Sequence, residues 1–141
     1  MERWGGVDLG GTKIQVVVVD ERFEVLGEER IPTPTAGGPQ DVADAIAGAV
    51  RSAASAAGVE PADLSGIGVG SPGEADAATG TIAGARNLPG WEGSFPLGGA
   101  LTAALGPPVA IGNDVTVATD AEADAQPAAE DDRVHVEQVL R

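Results

Sequence analysis

Asp8-Leu9-Gly10-Gly11-Thr12-Lys13 decides how this 141-residue chain is read. It lies between Trp4 to Val7 and the run Ile14-Gln15-Val16-Val17-Val18-Val19, so two β-type runs meet through a Gly-Gly pair. The pattern predicts a hairpin whose tight primed turn uses glycine for positive φ. The chemistry around the turn adds a second reading. Glycines let backbone N–H groups approach a phosphate, Thr12 adds a donor, and Lys13, the only lysine, adds a cation. Asp8 is suited to hold the water shell of Mg²⁺. From these six residues alone, a phosphate cradle and an edge hairpin with a solvated tip both stay open. A Walker A loop does not fit, because it needs Gly-Lys-Ser/Thr opening a helix, whereas Gly11-Thr12-Lys13 leads into a β-branched run.

Composition narrows the partners. Against 22 Asp and Glu stand 8 Lys and Arg, and a net charge of −14 opposes binding to nucleic acid or an anionic membrane. With no cysteine, disulfides and thiolate metal sites are excluded. The start, Met1-Glu2-Arg3-Trp4-Gly5, has no apolar signal region, and no run approaches the length of a membrane span. A soluble, cytoplasmic protein is the default expectation. The length suits one core, burying roughly two thirds of the unfolded surface.

Outward from the hairpin, Asp20-Glu21-Arg22 predicts a turn, and Phe23, Val25 and Ile31 alternate through a third strand ending at Pro32. Three antiparallel strands therefore open the fold. Thr33 to Gly38 reads as loop; from Pro39, residues Val42, Ile46, Ala49, Val50 and Ala53 recur at helical spacing until Gly58. Pro61 to Leu64 reads as a turn, and Gly66 to Gly70 as a short buried strand with glycines for close backbone approach. Residues 68 to 73 also spell G-x-G-x-x-G, but a dinucleotide site needs a helix opening at the last glycine, and Glu74 to Thr81 has no apolar period. Thr81-Ile82-Ala83 reads as a short strand and Asn87-Leu88-Pro89-Gly90-Trp91 as a loop with an aromatic anchor. Pro96 opens a second helix with Leu97, Leu101 and Leu105 on one face, closed by Gly106. Val109-Ala110-Ile111 is then a strand with Gly112-Asn113-Asp114 at its carboxyl end, where ligands collect in open α/β sheets; a helix N-cap before Val115 is the competing reading of the Asn-Asp pair. From Asp120 acids fall among Ala, Gln and Pro without a period, as in a solvated or disordered tail, and His135, the only histidine, has no partner set for a triad or metal site.

Taken in order, these motifs resemble the ROK sugar kinases, bacterial glucokinases and fructokinases among them, from about Gly5 to Glu122. Asp8 to Lys13 is similar to the first phosphate motif of the actin-like ATPase superfamily, and Gly68 to Gly73 to the family's sugar-lobe loop. Asn87 to Trp91 is similar to its sugar-contacting segment, and Gly112-Asn113-Asp114 to its catalytic strand end. The resemblance implies an α/β fold: an actin-like ATPase (ribonuclease H-like) lobe, a mixed sheet with three antiparallel strands first and helices packed on it. It implies ATP-dependent phosphorylation of a hexose, glucose being the first guess. Asp114 would be the catalytic base, with Gly73, Asn87, Asn113 and Asp114 around the sugar. Gly10, Gly11, Thr12 and Lys13 would meet the ATP phosphates, and Asp8 would organise Mg²⁺ through water.

The departures from the family set further expectations. Family kinases continue into a second lobe with another phosphate motif, an adenosine pocket and commonly a His and Cys zinc motif, so no zinc site is expected in these residues. Val115-Thr116-Val117 replaces the usual helix-favouring run after the base. The expected division is residues 1–122 as an N-terminal lobe and 123–141 as an acidic tail, disordered or the product of a truncation or frameshift. Such a lobe would be inactive alone, and surface exposed around Trp91 and the strand ends would favour homo-oligomers. A non-catalytic sugar-binding or regulatory ROK protein, or an inactive remnant, is the alternative. Only seven residues precede Asp8, where the family's repressors carry a DNA-binding segment.

Overall fold

The computed structural model describes residues 2–85, 88, 90, 91 and 93–113. Strand β1 (Arg3–Leu9) turns into β2 (Lys13–Asp20), and β2 into β3 (Val25–Pro32), both pairings antiparallel. Helix α1 (Pro39–Ala57) leads through a 3-10 turn at Pro61–Asp63 to β4 (Gly66–Gly70). Next come β5 (Glu74–Asp76), β6 (Thr81–Ala83), β7 (Ser94–Phe95), α2 (Leu97–Leu105) and β8 (Val109–Gly112). The main sheet has the order β3-β2-β1-β4-β8, with β4 parallel to β1 and β8 parallel to β4. The short strands β5, β6 and β7 form a second, antiparallel sheet.

Alternation along the strands sorts side chains between the two faces. Val7, Leu9, Ile14, Val16, Val18, Ile67, Val69 and Ile111 pack in one core with the apolar stripe of α1, which includes Val42, Ile46 and Val50, and with Leu97, Leu101 and Leu105 of α2. Trp4, Val17 and Val19 are buried too, but belong to the other parity, beside Gly6, Gly66 and Gly68. Helix α1 begins where Pro39 needs no N–H partner and Asp41 accepts from Gly38 N–H at 2.8 Å. It ends where Gly58 and Val59 N–H groups donate to Ser55 and Ala54 carbonyls, both at 3.0 Å.

Two local readings need correction. Phe23 lies in the β2–β3 turn rather than in the strand, with φ of 62°. Asp20 organises that turn, its Oδ1 accepting from Arg22 N–H at 2.8 Å and Glu24 N–H at 3.1 Å, so local side-chain bonding overrides β alternation. The Gly10-Gly11 pair does join a hairpin, yet neither glycine is among those with positive φ. Glycine serves close approach instead: a Cβ on Gly10 would lie 3.0 Å from the Lys13 carbonyl oxygen, which accepts the Gly10 N–H at 3.0 Å. The G-x-G-x-x-G alternative also fails in the structure, since strand β5, not a helix, follows Gly73.

Candidate functional site

Register brings the motifs to one edge. Asp8 pairs with Gly70 and Gly70 with Gly112, so β1, β4 and β8 end side by side. Beyond those ends lie the Gly10–Lys13 turn, the Ser71–Gly73 loop and Asn113. Asp8 is half-buried, and Thr12 and Lys13 are exposed. The ladder continues one bond past the strands, with Ser71 N–H donating to the Gly112 carbonyl at 2.9 Å. This edge is the carboxyl end of the parallel strands, the general location of ligand sites in open α/β sheets.

Asn113 joins two of the three loops. Its Nδ2 donates to the carbonyls of Ser71 at 2.9 Å and Gly73 at 2.8 Å, spending both amide hydrogens and leaving Oδ1 as an acceptor. The side chain is exposed, so that oxygen suits a hydroxyl donor from a ligand. Gly73 is fixed from the other side: its φ is 84°, and a Cβ there would stand 2.6 Å from the Ala83 carbonyl oxygen. The loop therefore lies flat on β6. Strand β6 is anchored in turn by Trp91, only 2 % exposed, whose indole N–H donates to Ile82 O at 3.0 Å and whose ring meets Phe95 edge-on at 5.7 Å. The expectation of exposure is thus corrected for Trp91 itself, whose ring is buried. An indole whose N–H finds a backbone acceptor and whose ring has core neighbours is best buried, and Val25 is the exposed large hydrophobic among the described residues.

Other polar residues at this edge were missed in the sequence reading. Gln15 pairs with Asp8 on one side and Arg30 on the other. With its amide oxygen toward β3, Gln15 accepts from Arg30 Nη2 at 2.9 Å and Nε at 3.1 Å. A polar residue interrupting a run of Ile and Val is the signal that could have drawn attention to it. Thr33, 3 % exposed, donates its hydroxyl to Gly10 O at 2.8 Å and its N–H to Thr12 O at 3.0 Å. Nothing in its loop-like surroundings marked it.

Among the described residues, no group of three or more His, Cys, Asp or Glu could hold a metal ion. Asp8 offers a single carboxylate, so a divalent ion beside it would draw its remaining oxygens from water and from the ligand's phosphates, a common arrangement for Mg²⁺. The tight Gly10 turn next to that carboxylate fits such a pairing. Asn87 and Asp114 lie outside the described residues, as do Val115 to Val117, the acidic tail and His135. A separate cleft of about 1020 Å³ sits near the opposite ends of the strands, with Arg3, Arg51, Glu60 and Asp63 in its lining.

A family model described as "ROK family" matches residues 4–136. Over 113 residues the chain is 38% identical to a glucokinase of Streptomyces coelicolor, covering 80% of this chain and 33% of that protein. Over 109 residues it is 39% identical to an N-acetyl-D-glucosamine kinase of Vibrio atlanticus, covering 77% of this chain and 34% of that protein. A solved ROK family glucokinase from Streptomyces griseus, in complex with glucose and AMPPNP, superposes with a TM-score of 0.68 at 34% identity over 79% of this chain and 33% of its own. The chain spans about a third of the length of the curated relatives it matches.

Proposed function

The chain belongs to the ROK family, and from that premise we propose that its 1–122 region is the sugar-facing lobe of a kinase that transfers the γ-phosphoryl of ATP to a hexose hydroxyl. One observation carries the reading: the in-register ending of β1, β4 and β8, which gathers the Gly10–Lys13 turn, the Ser71–Gly73 loop and Asn113 at one edge. Phosphoryl transfer depends mainly on positioning and charge stabilisation, so a phosphate turn beside hydroxyl acceptors is the arrangement it requires.

In this reading the Gly10 and Gly11 backbone, Thr12 and Lys13 hold the terminal phosphates. Asp8 would hold Mg²⁺ through water, and the ion would supply charge neutralisation on the phosphates. Asn113 Oδ1 accepts from one sugar hydroxyl, and Asn87 and the backbone at Gly73 complete the hexose contacts. Asp114, next in sequence to Asn113, accepts the proton of the attacking hydroxyl. Both a glucokinase and an N-acetyl-D-glucosamine kinase are similar to the chain at close to the same identity, so the substrate is stated as a glucose-type hexose. A regulatory sugar-binding role would keep the hexose contacts without turnover.

The test is to supply the 141-residue polypeptide with Mg-ATP and a panel of hexoses, following both binding and ADP release. Hexose binding without sustained turnover is expected, because among the described residues the phosphates are held at one turn only. Sustained turnover abolished by Asp114→Asn would overturn the view that these residues are catalytically incomplete. No binding of any hexose would overturn the sugar-site reading itself.

A further inference from the structure

We propose that Thr33 is the positioning residue of the phosphate turn, aiming the Gly11 N–H at the ligand. The inference rests on the reading of Gly10–Lys13 as a phosphate site and adds a residue to it. Thr33 stands 23 positions from Gly10, is 3 % exposed, and claims two carbonyls of the turn, Gly10 O through its hydroxyl and Thr12 O through its N–H. Its N–H bond extends the β2–β3 ladder by one rung. The hydroxyl bond reaches Gly10, the residue that follows β1 at the other side of the turn.

Peptide planarity gives that second bond its consequence. In a trans peptide the carbonyl of one residue and the N–H of the next point in opposite directions. With Gly10 O drawn toward Thr33, on the β3 side, the Gly11 N–H is directed away from it, toward the side of β1 where β4 and β8 end. Neither Gly10 nor Gly11 lies in the left-handed region, so the turn does not owe this orientation to a glycine-only backbone conformation. Glycine can rotate its flanking peptides at little cost, so an outside contact is needed to hold one orientation. A buried hydroxyl does so because its only alternative is an unsatisfied donor.

The experiment uses inorganic tripolyphosphate as the probe and the amide spectrum of the whole chain as the readout. In the wild type, tripolyphosphate is expected to shift the Gly11 amide strongly. Thr33→Val keeps the shape and the backbone bond but loses the hydroxyl; it should bind about tenfold more weakly, with a reduced Gly11 shift. Thr33→Ser should restore both. If Thr33→Val binds as tightly as wild type with the same Gly11 shift, the inference fails while the phosphate turn stands. If tripolyphosphate moves no amide from Gly10 to Lys13 in the wild type, the phosphate reading fails and takes the inference with it. Should Thr33→Val not fold, the wild-type hydroxyl decides: a Thr33 Oγ–H protected from solvent exchange supports the role, and one in free exchange with and without the probe overturns it.

Discussion

The two glycine loops of the site are held in opposite ways. The Gly10–Lys13 turn is short-range, closed by its own hairpin through Gly10 N–H to Lys13 O and finished by one distant residue, Thr33. The Ser71–Gly73 loop is held by partners far along the chain: Asn113, 42 and 40 positions away, and strand β6, whose Ala83 pairs with Glu74 directly after the loop. Local pairing leaves a turn with few ways to fail. A loop clamped from two sides depends on every clamp.

Substitutions should therefore weaken the second region far more than the first. Trp91→Ala removes the anchor of β6, both its buried ring and its bond to Ile82 O, and should cost about 3–5 kcal/mol in urea or thermal unfolding. A loss under about 1 kcal/mol would mean that the second sheet is not what supports the loop. Gly73→Ala combines a left-handed φ with a Cβ driven at the Ala83 carbonyl, and about 2–3 kcal/mol of destabilisation is expected by the same melts. Asn113→Ala strips two carbonyls of a donor at an exposed position and should cost only about 1 kcal/mol. Its larger effect should be faster amide exchange through residues 71 to 74, with weaker hexose binding. Lys13→Met sharpens the contrast from the other side: its side chain is exposed, so stability should change by less than about 0.5 kcal/mol while tripolyphosphate affinity falls about tenfold.

The same contrast explains what the sequence could tell. Features governed by neighbours in the chain were legible: the β1–β2 hairpin from its flanking apolar runs, α1 from the spacing of Val42, Ile46 and Val50 between Pro39 and Gly58, and α2 from Leu97, Leu101 and Leu105. The small strands β5 and β7 were not: β7 has two residues, and β5 is Glu74-Ala75-Asp76, without the β-branched residues that marked β6. Phe23 misled for a related reason: alternation marks a strand only where no side chain captures the backbone first, and Asp20 does. At the site, Gly10 to Lys13 were named as candidates from motif chemistry, Asn113 from its place at a strand end, and Gly73 from the family resemblance. The roles of Thr33 and of the Gln15–Arg30 pair arise from contacts between strands, which no spacing within one segment reveals. Trp91 was read as an anchor, but its burial depends on a β6 carbonyl that only the fold brings to it.

The central claim is that phosphate and hexose meet at the carboxyl edge of β1, β4 and β8. Its most direct test is a paired amide-shift titration of the whole chain, first with tripolyphosphate and then with glucose. The account predicts that tripolyphosphate perturbs Gly10 to Lys13, that glucose perturbs Gly73, Gly112 and Asn113, and that each ligand tightens the other's shifts. Tripolyphosphate shifts centred instead on the cleft at Arg3 and Arg51, with Gly10 to Lys13 unmoved, would contradict it.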